Sequence, residues 1–200
     1  MRSLVDVLNY LTRDRQLLLL YLLYAKRCEP IKGNLWLQKE MFVIEKTLDT
    51  RDKYYFIDHF KGPFSDDLMG EIDYLISLNL AEKDEKGVYR ITQKGKMLID
   101  YLMKKNVMYK LFNKKTLDVV EDVKDLLNDL NRDELLGYIY FNYPETTERS
   151  EEFERIKKEK MKIVTRLYKK GKISLERAAE ILDMPVKELI RMMKGFRVLH

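Results

Sequence analysis

One β-hairpin signal interrupts a chain otherwise patterned for helices, and its position restricts the fold more than any other feature. Leu80-Ala81-Glu82-Lys83 and Val88-Tyr89-Arg90-Ile91 are short strand-like runs. Between them Asp84-Glu85-Lys86-Gly87 is a charged turn closed by glycine, the pattern of a hairpin. Three helix patterns precede it. Leu17, Leu18, Tyr21, Leu22 and Ala25 share a face of a helix over 13–28, with Thr12 as its N-cap. Leu35, Leu37, Met41, Phe42, Ile44 and Leu48 predict a second helix over 35–48, with Asn34 as cap. Tyr54, Tyr55, Phe56 and Ile57 are strand formers in an extended segment that Gly62-Pro63 breaks. Ser65 caps a third helix over 66–79. Behind the hairpin, Thr92 caps a fourth over 93–106. Helix, helix, helix, hairpin, helix is the order of a winged helix-turn-helix domain, predicted over residues 1–110.

Further helices are predicted over 116–131 and 132–142, and Pro144 to Ser150 reads as a linker, so 111–150 forms a helical extension. Residues 151–200 form a third region: a long basic helix over 151–170, then two short helices over 174–183 and 186–195. The predicted class is mainly α. Only 8 glycines and 4 prolines in 200 residues fit that class better than a turn-rich sandwich or barrel.

The net charge of +5 is unevenly placed. Residues 1–150 hold 24 Lys/Arg against 25 Asp/Glu, a balance of −1, and residues 151–200 hold 14 against 8, a balance of +6. The longest uncharged apolar run, residues 17–25, is far short of the ~20 residues of a membrane helix. Met1-Arg2-Ser3 leads straight into helical pattern, which predicts a cytoplasmic protein without membrane contact. One cysteine, Cys28, excludes a disulfide framework within the chain and a Cys-based zinc cluster.

Enzymatic chemistry has no clear seat. There is no Gly-rich phosphate loop, no G-x-S-x-G elbow and no H-E-x-x-H. Asp58 and His59 are adjacent in an extended segment, so they point to opposite faces, and His59 reads as a surface or loop histidine. No cofactor and no catalytic residue are expected.

The tail carries the more informative pattern. In residues 171–190 Ser174 caps one helix, and Ala178 and Ala179 are small enough for a second to cross closely. Met184 covers the turn and Pro185 opens the second helix, where its missing N–H costs nothing. Leu189, Ile190 and Met193 face inward, while Lys187, Glu188, Arg191 and Lys194 face outward, as a recognition helix requires. Upstream, residues 155–172 carry nine cations and one acid, Glu159. Among those cations, Lys157, Lys158, Lys160, Lys162, Lys169, Lys170 and Lys172 are the candidate phosphate contacts, whose attraction would be salt-sensitive. The winged helix is a poorer reader: Asp66, Asp67, Glu71 and Asp73 occupy outward positions of the helix before the hairpin, where phosphates would sit.

Two resemblances accompany these patterns. Leu37-Gln38-Lys39-Glu40-Met41-Phe42, Lys61-Gly62-Pro63-Phe64-Ser65, Thr92-Gln93-Lys94-Gly95 and the segment from Glu134 to Pro144-Glu145 resemble the Panacea (SocA-like, YwgA-like) antitoxin domain over about residues 12–150. Gly171-Lys172-Ile173-Ser174 through Ala178-Ala179 to Met184 is similar to a family of small helix-turn-helix proteins of archaea and bacteria. Some of its members are regarded as antitoxins paired with PIN-domain nuclease toxins. Pro185-Val186-Lys187 departs from that family's frequent serine and aromatic. Both resemblances imply binding modules. The expected function is a DNA-binding transcriptional regulator of antitoxin type, acting as a homodimer on double-stranded DNA through its tail. The alternative is a protein-interaction module that wraps an acidic, toxin-like partner and leaves DNA alone.

Overall fold

Seven consecutive residues, 17–23, are all buried, with Leu19, Leu20 and Leu22 at 0% exposure. A helix apolar on every side belongs in the middle of a core. The computed structural model describes residues 8, 10, 11, 13–48 and 53–197, the side chains of 194–197 excepted. In it, α1 (Asp14–Cys28) is that central helix. It is followed by α2 (Asn34–Thr47), α3 (Asp66–Ser77), a hairpin of β1 (Ala81–Lys83) and β2 (Tyr89–Ile91), α4 (Gln93–Lys104), α5 (Val107–Leu111) and α6 (Lys114–Leu127). Then come α7 (Arg132–Asn142), a 3-10 turn (Pro144–Thr146), α8 (Phe153–Lys158), α9 (Lys160–Lys169), α10 (Leu175–Leu182) and α11 (Val186–Arg197). The described residues thus form a mainly helical fold with one two-stranded antiparallel sheet. No described helix is long and apolar enough to cross a membrane.

The chain divides into two compact units. The first is Met1–Ile57 with Pro63–Asp129, the second Asp58–Gly62 with Leu130–His200. The predicted helical extension over 111–150 is therefore shared, α6 going to the first unit and α7 to the second.

In the first unit α1 packs against α3, α4, α6 and β2. The hairpin pairs Ala81 with Ile91, Glu82 with Arg90 and Lys83 with Tyr89. Ile31 adds a bridge to its free edge, with Ile31 N donating to Tyr89 O at 3.0 Å and Tyr89 N to Ile31 O at 2.9 Å. Local caps fall where the sequence places them. Ser65 Oγ accepts from Leu68 N and Thr92 Oγ1 from Gly95 N. Gly95 is required by proximity, because a Cβ there would lie 2.2 Å from Leu80 O and 2.8 Å from Ile91 Cγ1.

Other expectations change. Residues 54–57 form no strand: only Ile57 bridges Phe64, and Tyr54 N donates instead to Glu45 Oε1 at 2.8 Å. His59 lies in a loop, in keeping with its reading as a surface or loop histidine. Asn34 does not cap α2; its carboxamide oxygen takes Tyr89 OH at 2.7 Å and Lys83 Nζ at 3.1 Å, tying the helix to the hairpin. Thr12 lies outside the described residues, and Arg13 is the N-cap position of α1. Glu71 does not face outward. It is buried and accepts from Arg13 Nη1 (3.3 Å), Arg15 Nη2 (3.1 Å) and Gln16 Nε2 (2.5 Å), which clamps α3 to α1. Val107–Leu111 adds a short helix that the sequence pattern did not announce.

In the second unit the long basic helix is two helices. Glu159 (φ −93, ψ 9) separates α8 from α9. The loop 58–62 belongs here: Glu151 N donates to Phe60 O at 3.1 Å, and Ser150 Oγ donates to the same oxygen at 3.4 Å. The segment 144–150 is ordered, with Thr146 buried and Ser150 Oγ 2.6 Å from the Tyr140 hydroxyl.

Candidate nucleic-acid interface

The candidate interface rests on four helices of the second unit. Ile156, Ile163, Val164 and Leu167 are buried, so α8 and α9 turn one face inward. At Gly137 a Cβ would lie 2.5 Å from Ile163 Cγ2, so α7 and α9 can approach this closely only because residue 137 lacks one. Val164 joins Ala178, Ala179, Ile181 and Leu189 in a core shared by α9, α10 and α11, with Tyr168, Met184 and Met193 packed around it. Ser174 Oγ accepts from Arg177 N at 3.0 Å and caps α10. Asp183 at φ 53 ends α10, and Met184 N donates back to Ala179 O at 3.1 Å. Pro185 then precedes α11, and its carbonyl accepts from Glu188 N and Leu189 N, so it stands one position before the first helical residue.

With Leu189 buried, Lys187 and Arg191 are left exposed on α11. The Lys194 side chain lies outside the described residues. Upstream, Lys158, Lys162, Arg166 and Lys169 line an open groove of about 540 Å³, together with Glu159, Met161 and Thr165. Lys158, Arg166, Lys169, Lys187 and Arg191 form no ion pair among the described residues. Arg166 lines the groove as well, although the sequence pattern did not mark it as a phosphate contact.

Several of the remaining cations are engaged within the unit. Lys170 Nζ donates to the buried Glu134 at 2.7 Å. Lys162 pairs with Glu159 at 2.9 Å, and Lys157 lies 3.9 Å from Glu154 and over the Phe153 ring. Lys160 sits over the Phe141 ring, and Lys172 is half-buried and engaged. Arg155 forks onto both oxygens of Asp133 at 2.6 and 3.0 Å and reaches Glu152 at 2.8 Å. This guanidinium lowers the pKa of the Asp133 carboxyl, and Arg132, joined by Arg155, lowers that of Glu152. A segment that reads as nine cations against one acid thus meets acids from α7 and from the residues just before α8. The field left for a partner is that of the groove and of α11.

The first unit contains a different anomaly. Lys124 is fully buried, and its Nζ donates to Leu22 O (2.8 Å), Ala25 O (3.0 Å) and Leu23 O (3.4 Å). Those are carbonyls at the C-terminal end of α1, which lack helical partners. The chain there runs through three successive left-handed residues, Lys26, Arg27 and Cys28, at φ 53, 57 and 63. Lys26 N is held by Glu121 Oε2 at 2.8 Å. Glu40, on α2, is also fully buried, and neither carboxyl oxygen has a hydrogen-bond partner. Burial raises the pKa of Glu40 and lowers that of Lys124, each held back by the opposite charge of the other.

The neighbours of Glu40 also have structural roles. Gln38 Oε1 accepts from Ser65 N, and Gln38 Nε2 donates to Ser65 O, both at 2.9 Å. Lys39 Nζ donates to Pro63 O at 2.7 Å. The Gln38-Lys39 and Pro63-Phe64-Ser65 elements of the sequence are therefore clasped to each other. Among the described residues no cluster of His, Cys, Asp and Glu could hold a metal ion. Compared with known proteins, the chain matches no family model, no curated protein and no solved structure.

Proposed function

We propose that this chain is a DNA-binding regulator of antitoxin type, contacting duplex DNA through the second unit. One observation carries the reading. α10 and α11 are joined by the Asp183-Met184-Pro185 turn and bury Ala178, Ala179 and Leu189, while Lys187 and Arg191 stay exposed and unpaired among the described residues. That is the division of labour of a helix-turn-helix, in which the second helix enters the major groove and its polar face meets the bases. Lys158, Lys162, Arg166 and Lys169 would supply sequence-independent attraction to phosphates.

The first unit is read as a winged helix. Its support is the element order and the Ile31–Tyr89 bridge, which gives the hairpin a third edge. Asp66, Asp67 and Asp73 are exposed on α3, so a duplex on that helix would be repelled. Dimerisation or protein binding suits this unit better. The test uses the full chain in a salt-titrated duplex-binding assay. Reversal of charge at Lys187 and Arg191 should weaken binding at least tenfold, and wild-type affinity should fall steeply with salt. Unchanged affinity in that variant refutes the reading.

The second reading is toxin neutralisation without DNA. Met161 and Thr165 give the cationic groove a partly apolar lining suited to an acidic peptide. A stoichiometric protein partner lost on charge reversal at Arg166 and Lys169, with no duplex affinity in the wild type, would favour it.

A further inference from the structure

Seven lysines and a single acid, Asp100, fall within residues 94–115. The rest of residues 1–150 carries 17 Lys/Arg against 24 Asp/Glu, so the near-neutral total of that region conceals a strongly basic segment. Lys96, Lys104, Lys105, Lys110, Lys114 and Lys115 are exposed, and none forms an ion pair among the described residues. Asp100 is already engaged by the Tyr24 hydroxyl at 2.7 Å.

The same segment exposes aromatic and apolar side chains. On α4, Met97 (50% exposed) and Tyr101 (36%) stand one turn apart, between Lys96 and Lys104. Tyr109 (45%) and Leu111 (44%) follow on α5, which packs against α4. All of these residues belong to the first unit.

We infer that the α4–α5 face is a second binding surface, and that its ligand is single-stranded DNA. Unpaired lysines supply the attraction a polyanion needs, and exposed tyrosine rings offer faces on which unpaired bases stack. Lysines interleaved with aromatics suit a flexible strand better than a duplex, whose bases are already stacked. An anionic lipid surface is the weaker fit. An interfacial helix turns its apolar face to the lipid, but Leu98, Ile99 and Leu102 are at most 1% exposed and belong to the core. DNA is chosen over RNA because duplex DNA is the polymer proposed for the second unit, and to that extent the inference rests on that reading.

The test is fluorescence anisotropy of the full chain with an oligodeoxythymidine strand and, separately, a duplex of equal length. Tyr101→Leu and Tyr109→Leu keep apolar area but remove the ring, and each should weaken strand binding by roughly tenfold. K104Q/K105Q/K110Q should lower the slope of log affinity against log salt by about 2, since each phosphate that no longer meets a lysine takes ~0.7 off that slope. Duplex binding should be unchanged by these variants, whereas reversal at Lys187 and Arg191 should weaken the duplex and spare the strand. This split separates failure of one surface from failure of the other. Strand affinity unmoved by both sets of variants overturns the inference. Tighter binding of oligouridine, or capture by phosphatidylserine-rich vesicles that the same variants abolish, overturns the choice of ligand.

Discussion

Replacing Lys124 by methionine should be among the most damaging single changes in the first unit. The ammonium leaves three carbonyls behind, two of them at good hydrogen-bond distances of 2.8 and 3.0 Å. An unsatisfied buried acceptor costs ~1–3 kcal/mol, so these two alone account for ~2–6 kcal/mol. Removing one member of a buried charge pair costs ~3–5 kcal/mol by itself, because the other charge stays behind. The two figures overlap in what they count, so we expect a loss of about 3–5 kcal/mol, against a typical total of ~5–15 kcal/mol. Glu40→Leu alone should cost less than Lys124→Met, although it too leaves one buried charge without its partner. It removes two oxygens that have no hydrogen-bond partner, and Lys124 keeps its carbonyls. In the double variant the loss should shrink by ~2 kcal/mol or more, since no buried carboxyl is left uncompensated. Trp36 is the only tryptophan and lies on α2, so urea unfolding followed by its fluorescence reports this unit directly. Strict additivity, to within ~0.5 kcal/mol, would show that Glu40 and Lys124 do not interact and would refute the reasoning.

Three further outcomes are expected. Burial raises the folded-state pKa of Glu40, so its contribution is full in acid and is lost as pH rises from the ordinary carboxylate range into neutrality. Stability measured at about pH 5 and about pH 8 should therefore diverge between wild type and Glu40→Gln, with the variant relatively more stable at the higher pH; equal differences at both would contradict this. Gly137→Ala places a methyl against Ile163, and overpacking of this kind should lower stability by ~1–3 kcal/mol despite the better helix propensity of alanine. A higher melting temperature would show that Ile163 simply yields. Gln38→Ala removes a two-way hydrogen bond to Ser65 and should cost ~1–3 kcal/mol, visible as a lower urea midpoint.

Local chemistry was legible in the sequence and partner choice was not. Ser65, Thr92 and Ser174 cap the helices expected of them because a cap needs only the next three residues. Ala178, Ala179 and Leu189 are buried as their spacing requires. Asn34 has the same capping chemistry as Ser65, yet a tyrosine 55 residues away takes its oxygen. Glu71 reads as one of four outward acids on α3, but two arginines and a glutamine of the α1 end bury it. Residues 54–57 have strand composition without a neighbouring strand to complete it, so they remain extended chain. The candidate interface shows the same limit. Exposure of Lys187 and Arg191 follows from helical period, whereas the capture of Lys170 by Glu134 and of Arg155 by Asp133 depends on how α7 folds back. The lysines of 94–115 are offset by acids elsewhere in residues 1–150, so the near-neutral total of that stretch does not show them.

The loop 58–62 gives the chain an unusual order of assembly. Phe60 is made early, within the stretch that builds the first unit, but its hydrogen-bond partner Ser150 is 90 residues downstream. At ~5–20 residues per second of synthesis, that separation is roughly 5–18 s during which the loop is already made but its partners are not. Until residue 150 is made, the loop lacks the partner that ties it to the second unit. Expression of the tail alone would lack this piece entirely, so dissecting the protein at a single cut point divides one of its folding units.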